Sequence, residues 1–401
     1  METNSTFGLH GQWDYANPTR VMAGPDLPQL LDHALQHVRA RSGRRRVLLI
    51  SGQGALTSDF RARVRAYLER HCNVVTFSTQ TLNSPLAAME ACVAAIAGEP
   101  VDAIVAVGGG AVIDLAKAAA CYQGRNIPED IETILERDHD RIPTRTLPLI
   151  AIPTTAGTGS EVTPYAVLTS RANRKLFAIS RNLYPDVGVI CSESYATVSR
   201  KTIAEVGMDA VAHALEALWA KKASPVSDAL AIEALTRFDN CLVRYYRCPT
   251  DPALGYEVAL GACFAGLAFA AAYTSLCHAL SFPLSELLGL SHGKCCALTI
   301  AETAAFNSDY ESGALQRLCR ALRIESLADL PEYLHGLRTG LDDFDTLASV
   351  GFLSKSIPAI AMQARESMTE NNAKYADQDA LQWILRQARA RADSQTRPPL
   401  P

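Results

Sequence analysis

Asp209 and His213 stand four residues apart in GMDAVAHALEAL, and His278 and His292 stand fourteen apart in CHALSFPLSELLGLSHG. Residues i and i+4 of a helix share one face a turn apart, so a helix here aims a carboxylate and an imidazole at a common point. Two later imidazoles complete a set of one carboxylate and three histidines. Such a set suits a divalent first-row ion, Fe²⁺ or Zn²⁺, better than Mg²⁺ or Ca²⁺. The alternative is a surface helix pair and two core histidines with ordinary partners. The surroundings weigh against it, because each histidine lies in an apolar stretch where an unpaired polar group is costly.

A second group of residues suits a polyphosphate. DAIVAVGGGAVIDLAK puts Gly108, Gly109 and Gly110 between an apolar strand and a helix start. Glycine lets backbone approach a diphosphate, and the helix start offers free N–H groups and the positive end of its dipole. The G-x-G-x-x-G fingerprint is absent, and a plain tight turn would also explain three glycines. Asp114 and Lys117 follow one turn apart and read as a local surface pair. In PTTAGTGSE, Thr154, Thr155, Thr158 and Ser160 surround Gly157 and Gly159 at the end of another strand, the edge where open parallel sheets bind ligands.

These residues must be positioned by two kinds of structure. Up to about Ser199, short apolar runs alternate with helical patterns: RVLLIS (46–51), NVVTFS (73–78) and VGVICS (187–192) read as strands, DAIVAVGGG (102–110) as a strand running into glycines and LPLIAIPTTAGTGSE (147–161) as a strand ending in a turn-rich loop, with helices at 57–71, 85–99 and after the glycines. That alternation predicts a parallel sheet wound in βαβ units. Beyond 199, long Ala/Leu-rich stretches of 3.6-residue periodicity predict helices alone. The expected fold is α/β: a parallel-sheet dinucleotide-binding domain over 1–198, then an all-helical metal-binding domain over 199–401.

Composition narrows the function. The chain has 401 residues, 48% of them hydrophobic and 20% charged, enough for two cores, and its net charge of −4 gives no reason to expect nucleic acid. The basic run Arg39, Arg41, Arg44, Arg45, Arg46 reads as a solvated helix end. Eleven cysteines without a C-x-x-C pair imply free thiols in a reducing cytoplasm. No apolar h-region opens the chain, so no signal peptide is expected. The stretch 258–280 has membrane length, but its small residues and lack of basic flanks read as one helix buried all round, so no membrane partner is expected.

Taken together, VGGGAVIDLAK, PTTAGTGSE, GMDAVAHALEAL followed by SPVSDALAIEAL, and H-x13-HG resemble the iron-containing (group III) alcohol dehydrogenases, in order and with matching spacing from NPTRVMAG (17–24) to the C-terminal helices. The resemblance implies metal ligands Asp209, His213, His278 and His292. It implies a cofactor diphosphate on Gly108, Gly109 and Gly110 with Asp114 and Lys117 nearby. Thr154, Thr155 and Thr158 then line the phosphate and nicotinamide end, with Lys175 close to the ribose. Asn83 and Pro85 in LNSP match the family's Asn-Pro segment. A homodimer is also implied.

Three departures stand out. Ala111 replaces the serine usual after the glycines. Phe282 replaces a histidine four residues after the third ligand, which dries the pocket and leaves proton transfer to water or the cofactor ribose. Gly52, in LISGQGAL, stands where NAD-preferring members carry Asp, so NADPH joins NADH as an expected cofactor. H-A-L-S-aromatic-P-L is similar to a branch of phosphonoacetaldehyde and related small-aldehyde reductases. With Arg171, Arg174, Lys175, Arg181 and Lys294 as candidate anion-binding cations, the expectation is an NAD(P)H-dependent aldehyde reductase using Fe²⁺ or Zn²⁺, with phosphonoacetaldehyde as one substrate. Sulfoacetaldehyde, succinic semialdehyde and a glycerol-dehydrogenase-like activity remain alternatives, as does a metal-free binding protein on the same fold.

Overall fold

A computed structural model describes residues 13–38, 45–52, 58–79, 84–98, 100–196, 198–310, 312–341 and 346–391. The chain divides into two units, one of 17–198 with 249–259, the other of 1–16, 199–248 and 260–401. Two stretches thus depart from the expected division at 198/199. The first is tied to the helical unit by the Tyr15 hydroxyl, which donates to the Leu267 carbonyl at 3.3 Å.

The sheet unit contains β1 (Arg20–Gly24), β2 (Arg46–Gly52), β3 (Asn73–Thr79), β4 (Ala103–Gly108), β5 (Leu149–Pro153), β6 (Tyr165–Thr169), β7 (Lys175–Ile179) and β8 (Val187–Cys191). Six of them run parallel in the order β1-β8-β5-β4-β2-β3, while β6 and β7 form a separate antiparallel hairpin. Between strands lie α1 (Leu27–His37), α2 (Ser58–His71), α3 (Leu86–Ala95), α4 (Gly110–Tyr122) and α5 (Ile131–Glu136).

Side chains alternate faces along a strand, and here both faces are covered. Leu48, Ile50, Ile104, Ala106 and Leu149 pack with α3, α4 and the hairpin, whereas Val47, Leu49, Val105, Ile150 and Val189 pack with α1 and α2. Burial on both sides explains why these strands read as unbroken apolar runs. Each buried Val, Leu or Ile among them contributes roughly 1.5–3 kcal/mol on leaving water. From β2 the chain moves outward to β3 and then returns to place β4 on the other flank of β2. That reversal opens a crevice at the carboxyl ends of β2 and β4, where Gly52 and Gly108 stand.

The second half of the chain is helical, with α6 (Arg200–Leu218), α7 (Pro225–Arg247), α8 (Pro252–Ala272), α9 (Leu276–Leu288) and α10 (His292–Phe306), then α11 (Gly313–Leu322), α12 (Leu330–Thr339), α13 (Ile357–Gln363), α14 (Glu366–Thr369) and α15 (Gln378–Ala390); the start of α8, up to residue 259, belongs to the sheet unit and the rest to the helical unit. Its core is built from Leu280, Leu284, Leu298, Ile384 and Leu385 on α9, α10 and α15. Among the described residues, α8 is the one helix long and apolar enough to cross a membrane, and 67% of its most apolar window is buried.

The expected single helix over 258–280 is broken. Tyr273 takes a left-handed φ of 64°, and the chain restarts at Ser275, whose hydroxyl accepts from Trp219 Nε1 at 3.2 Å. Asn371 Nδ2 donates to the carbonyls of Ala272 and Thr274 at 2.9 and 3.1 Å. The carbonyls orphaned by the break are therefore satisfied from a distant segment.

Candidate metal centre and glycine-rich edge

The break re-aims the chain so that α9 begins two residues before His278. Downstream, Ser291 caps α10 and His292 is its first residue. Next to it, Gly293 has no room for a side chain: a Cβ there would lie 2.2 Å from the Glu205 carbonyl oxygen and 3.1 Å from Asp209 Cβ. Glycine thus lets α10 lie directly on α6, and that contact delivers His292 to Asp209.

Asp209, His278, His292 and Cys296 each offer a donor atom within 4.8 Å of the others. Asp209 Oδ1 is 3.7 Å from both His278 Nε2 and His292 Nε2, and Cys296 Sγ is 3.9 Å from His292 Nε2. His213 is buried beside this cluster without belonging to it. Its ring stacks on His278 with centroids 4.5 Å apart and on Phe269 at 4.0 Å. The structure therefore brings three of the four expected ligands together and sets the fourth against one of them.

Hydrogen bonds behind the rings decide which nitrogen faces inward. His278 Nδ1–H donates to Glu216 Oε2 at 2.5 Å, and His292 Nδ1–H donates to Ser281 Oγ at 3.0 Å. Each Nε2 then presents a lone pair to the Asp209 carboxylate. Asp209 Oδ1 and His278 Nε2 are buried with no hydrogen-bond partner, an arrangement that is unfavourable until a cation enters. Burial pushes the Asp209 carboxyl up to about 6, against the pull of His278. Burial also opposes charge on His278, yet Glu216 and Asp209 outweigh it and hold the imidazole above its ordinary value. The cavity favours positive charge, and its donors fit a divalent ion.

Two contributors escaped the sequence reading. Glu216 Oε1 accepts from the Cys277 N–H at 2.5 Å while Oε2 takes the His278 proton. It is the carboxylate that orients the histidine whose Nε2 faces the donor cluster, and its position seven residues after Asp209 on the same face was the available signal. Cys296, four residues after His292 on α10, carried the same kind of signal.

Phe282 lies one turn beyond His278, with its ring centroid 5.1 Å from that of His292. The Arg365 guanidinium lies 4.4 Å from the Phe282 ring centroid. Arg365 caps the short α14 and was not among the expected cations.

In the sheet unit the two glycine-rich elements meet. β4 pairs with β5 so that Gly108 faces Pro153, and Thr154 N–H donates to the Gly108 carbonyl at 3.0 Å. A Cβ on Gly109 would lie 3.2 Å from Thr155 Oγ1, and one on Gly110 would lie 2.7 Å from Thr158 Oγ1. The threonine hydroxyls thus line the start of α4, whose first N–H groups are free for an anion. Ser84, at φ 41°, donates its hydroxyl to the Ala111 carbonyl, and Pro85 caps α3. Asn83 lies outside the described residues.

Several expected roles change. Asp114 and Lys117 are not a surface pair. Lys117 is fully buried and donates to the carbonyls of Thr163 and Tyr165 at 3.0 and 2.7 Å. Asp114 accepts from Ser160 Oγ at 2.5 Å and from Val167 N–H at 2.9 Å. The two brace PTTAGTGSE from behind, so the cofactor contact expected of them becomes a positioning role.

Arg44 and its upstream partners are outside the described residues. Arg45 and Arg46 stand at the start of β2, about 20 Å of strand from Gly52. The cation at Gly52 is Arg61, whose Nη1 donates to the Gly52 carbonyl at 2.6 Å. Arg171 is held by Glu90 and lies 3.8 Å from Glu132, Arg174 lies 3.9 Å from Glu136, and Lys175 donates to Thr169 Oγ1 at 3.4 Å. That cluster is committed to its own carboxylates and hydroxyl rather than gathered as an anion pocket.

Comparison with known proteins accords with this geometry. The iron-containing alcohol dehydrogenase family matches residues 18–191, and the C-terminal part of the Fe-containing alcohol dehydrogenase family matches 203–389. A probable alcohol dehydrogenase of Escherichia coli is 33% identical over 60% of this chain and 60% of its own length. A phosphonoacetaldehyde reductase of Streptomyces viridochromogenes is 33% identical over 53% of this chain and 55% of its own. The matched stretch therefore spans little more than half the length of these relatives. A 4-hydroxybutyrate dehydrogenase of Cupriavidus necator is 32% identical over 75% of this chain and 82% of its own. The solved structure of sulfoacetaldehyde reductase from Bifidobacterium kashiwanohense in complex with NAD⁺ superposes with a TM-score of 0.87 at 26% identity, over 95% of this chain and all of that one.

Proposed function

The chain belongs to the iron-containing alcohol dehydrogenase family, and on that premise we propose that it reduces small aldehydes bearing an anionic group. Three of its relatives are named for substrates carrying a phosphonate, a sulfonate or a carboxylate. The observation that carries the reading to this chain is Arg365 over Phe282, with Phe282 against His292. A guanidinium there is one aromatic ring away from the donor cluster and can take the anionic group of a two- to four-carbon aldehyde. Phosphonoacetaldehyde is the leading substrate; sulfoacetaldehyde and succinic semialdehyde share its chemistry.

Asp209, His278 and His292 hold the metal, with His213 as the further donor the family pattern implies; Fe²⁺ accords with the family and Zn²⁺ with the same donors. When bound, the ion supplies Lewis acidity toward the aldehyde oxygen. Glu216 and Ser281 keep both Nε2 atoms facing it, and Phe282 excludes water from one side. Phe282 has no proton to give, so the alcohol proton comes from water or the cofactor ribose. The nicotinamide dinucleotide, the hydride source, is held at Gly108–Gly110 and the Thr154, Thr155 and Thr158 hydroxyls. Gly52 leaves no acid to repel a 2′-phosphate and Arg61 stands beside it, so NADPH is used as well as NADH.

The test is a kcat/KM series with phosphonoacetaldehyde, sulfoacetaldehyde, succinic semialdehyde and propanal, using wild type and Arg365→Ala. Loss of a charge-assisted contact of about 1.5–3 kcal/mol lowers kcat/KM for the anionic aldehydes roughly 10- to 150-fold and leaves propanal nearly unchanged. If wild type prefers propanal to every anionic aldehyde, the substrate class is wrong.

A further inference from the structure

We propose that Cys296 supplies a sulfur ligand to the metal, making the centre a mixed carboxylate, imidazole and thiolate site. The inference rests on the metal-centre reading above and adds a donor that reading does not require. Four atoms converge within 4.8 Å of one another, and the sulfur is one of them. Around a first-row ion, bonds of about 2.0–2.2 Å to N or O and 2.3 Å to S in a tetrahedron separate neighbouring donors by roughly 3.3–3.6 Å. Three of the six separations, at 3.7, 3.7 and 3.9 Å, exceed those values by a few tenths of an ångström and all six stay within 4.8 Å, so the quartet closes on an ion by side-chain adjustment.

The sulfur is placed by the fold. Cys296 is one turn from His292 on α10 and fully buried. Gly293, between them, seats that turn of α10 against the turn of α6 that carries Asp209. The buried, unpartnered Asp209 Oδ1 and His278 Nε2 point at the same spot. With no cation the thiol only hydrogen-bonds to its neighbours, His292 Nε2 among them at 3.9 Å. When a cation binds, the thiol proton leaves to solvent and the sulfur lone pair takes its place. A thiolate among imidazoles favours softer ions, so this site holds Zn²⁺ and Co²⁺ more firmly than a set of nitrogen and oxygen donors does.

The experiment is X-ray absorption on full-length protein reloaded with Zn²⁺, together with optical spectra of the Co²⁺ form, for wild type and Cys296→Ser; metal per chain is measured in each. Wild type is expected to show one sulfur scatterer at about 2.3 Å and a thiolate-to-Co²⁺ charge-transfer band, and both vanish in Cys296→Ser while metal remains bound. A wild-type centre with stoichiometric metal and nitrogen and oxygen donors alone overturns the sulfur ligand and leaves the metal-centre reading intact. A sulfur signal that persists in Cys296→Ser also overturns it. Wild type that binds no metal overturns both. Should Cys296→Ser fail to fold, the wild-type spectra alone decide.

Discussion

Replacing Glu216 by Gln changes one buried atom and removes a capacity that no amide can restore. The carboxylate accepts from Cys277 N–H at 2.5 Å and His278 N–H at 3.4 Å on Oε1, and from His278 Nδ1–H at 2.5 Å on Oε2. Glutamine has a single acceptor oxygen, so its NH₂ must face one of these donors. If it faces Cys277, a fully buried backbone N–H at the start of α9 is stranded, at about 1–3 kcal/mol. If it faces His278, the ring shifts its proton to Nε2, the atom that looks at Asp209, and the metal loses a lone pair. Both routes weaken metal binding. Removing the partner that orients a ligating histidine costs about 10- to 100-fold in affinity, which is about 1.4–2.7 kcal/mol. The apoprotein loses stability too, by several degrees in Tm for a unit of this size. Metal-stripped wild type and Glu216→Gln would be titrated against a chromophoric chelator, and Tm measured with and without Zn²⁺. The gap between holo and apo Tm should narrow in the variant, because less binding energy is linked to the folded state. Affinity within twofold of wild type, with an unchanged Tm, would refute the orienting role.

Gly293→Ala drives a methyl to 2.2 Å from the Glu205 carbonyl; it should cost about 1–3 kcal/mol by overpacking and lower metal affinity as α10 moves off α6, and retained affinity in a chelator competition would show that this contact does not set the site. Gly52→Asp fits, since its Cβ would meet Val112 Cγ2 at an ordinary 3.4 Å. A like charge near a 2′-phosphate costs roughly 1–4 kcal/mol, so the NADPH/NADH ratio of kcat/KM should fall about tenfold or more, and an unchanged ratio removes Gly52 from cofactor choice. Burial raises the Glu161 carboxyl from 4.5 to about 7, against Lys117. A folded value above the unfolded one gives stability that is complete below 4.5 and is lost as pH rises through about 7; Glu161→Gln should therefore flatten the decline of Tm between about pH 5 and 7.5, and a wild-type slope in the variant would count against the assignment.

Motifs with fixed spacing were legible in the sequence because periodicity carries them. Asp209 and His213 share a helix face, and three glycines after an apolar strand announce a turn into a helix; the packing of Gly109 and Gly110 on Thr155 and Thr158 joins the two glycine-rich loops as the parallel sheet requires. What was not legible depends on partners far along the chain. Hydropathy runs unbroken through 258–280, whereas the break after Ala272 is satisfied by Asn371, some hundred residues on. Lys117 three residues after Asp114 looks like a solvent-facing pair, and carbonyls at Thr163 and Tyr165 make it a core residue. Arg365 lies in an irregular stretch with no period to betray that it faces Phe282. His213 met its expected neighbours but stacks on His278, a distinction of ring placement that spacing does not encode.

The segment from Arg365 to Ala373 does two jobs that are usually separable. Asn371 satisfies the broken end of α8, just ahead of His278, while the Asn371 carbonyl and Ala373 N–H pair with Lys221 N–H and the Trp219 carbonyl at the end of α6, each at 2.7 Å. Six residues earlier, the Arg365 guanidinium lies 4.4 Å from the Phe282 ring centroid. If Arg365 meets the substrate's anion as proposed, that contact and the aim of His278 are set by one short strap and inherited together. A chimera that borrows Arg365 from this chain without Asn371 and Ala373 would gain the anion-binding charge on a misaligned centre. On that reading, specificity drifts by single substitutions at position 365, but not by exchange or resizing of the loop that carries it.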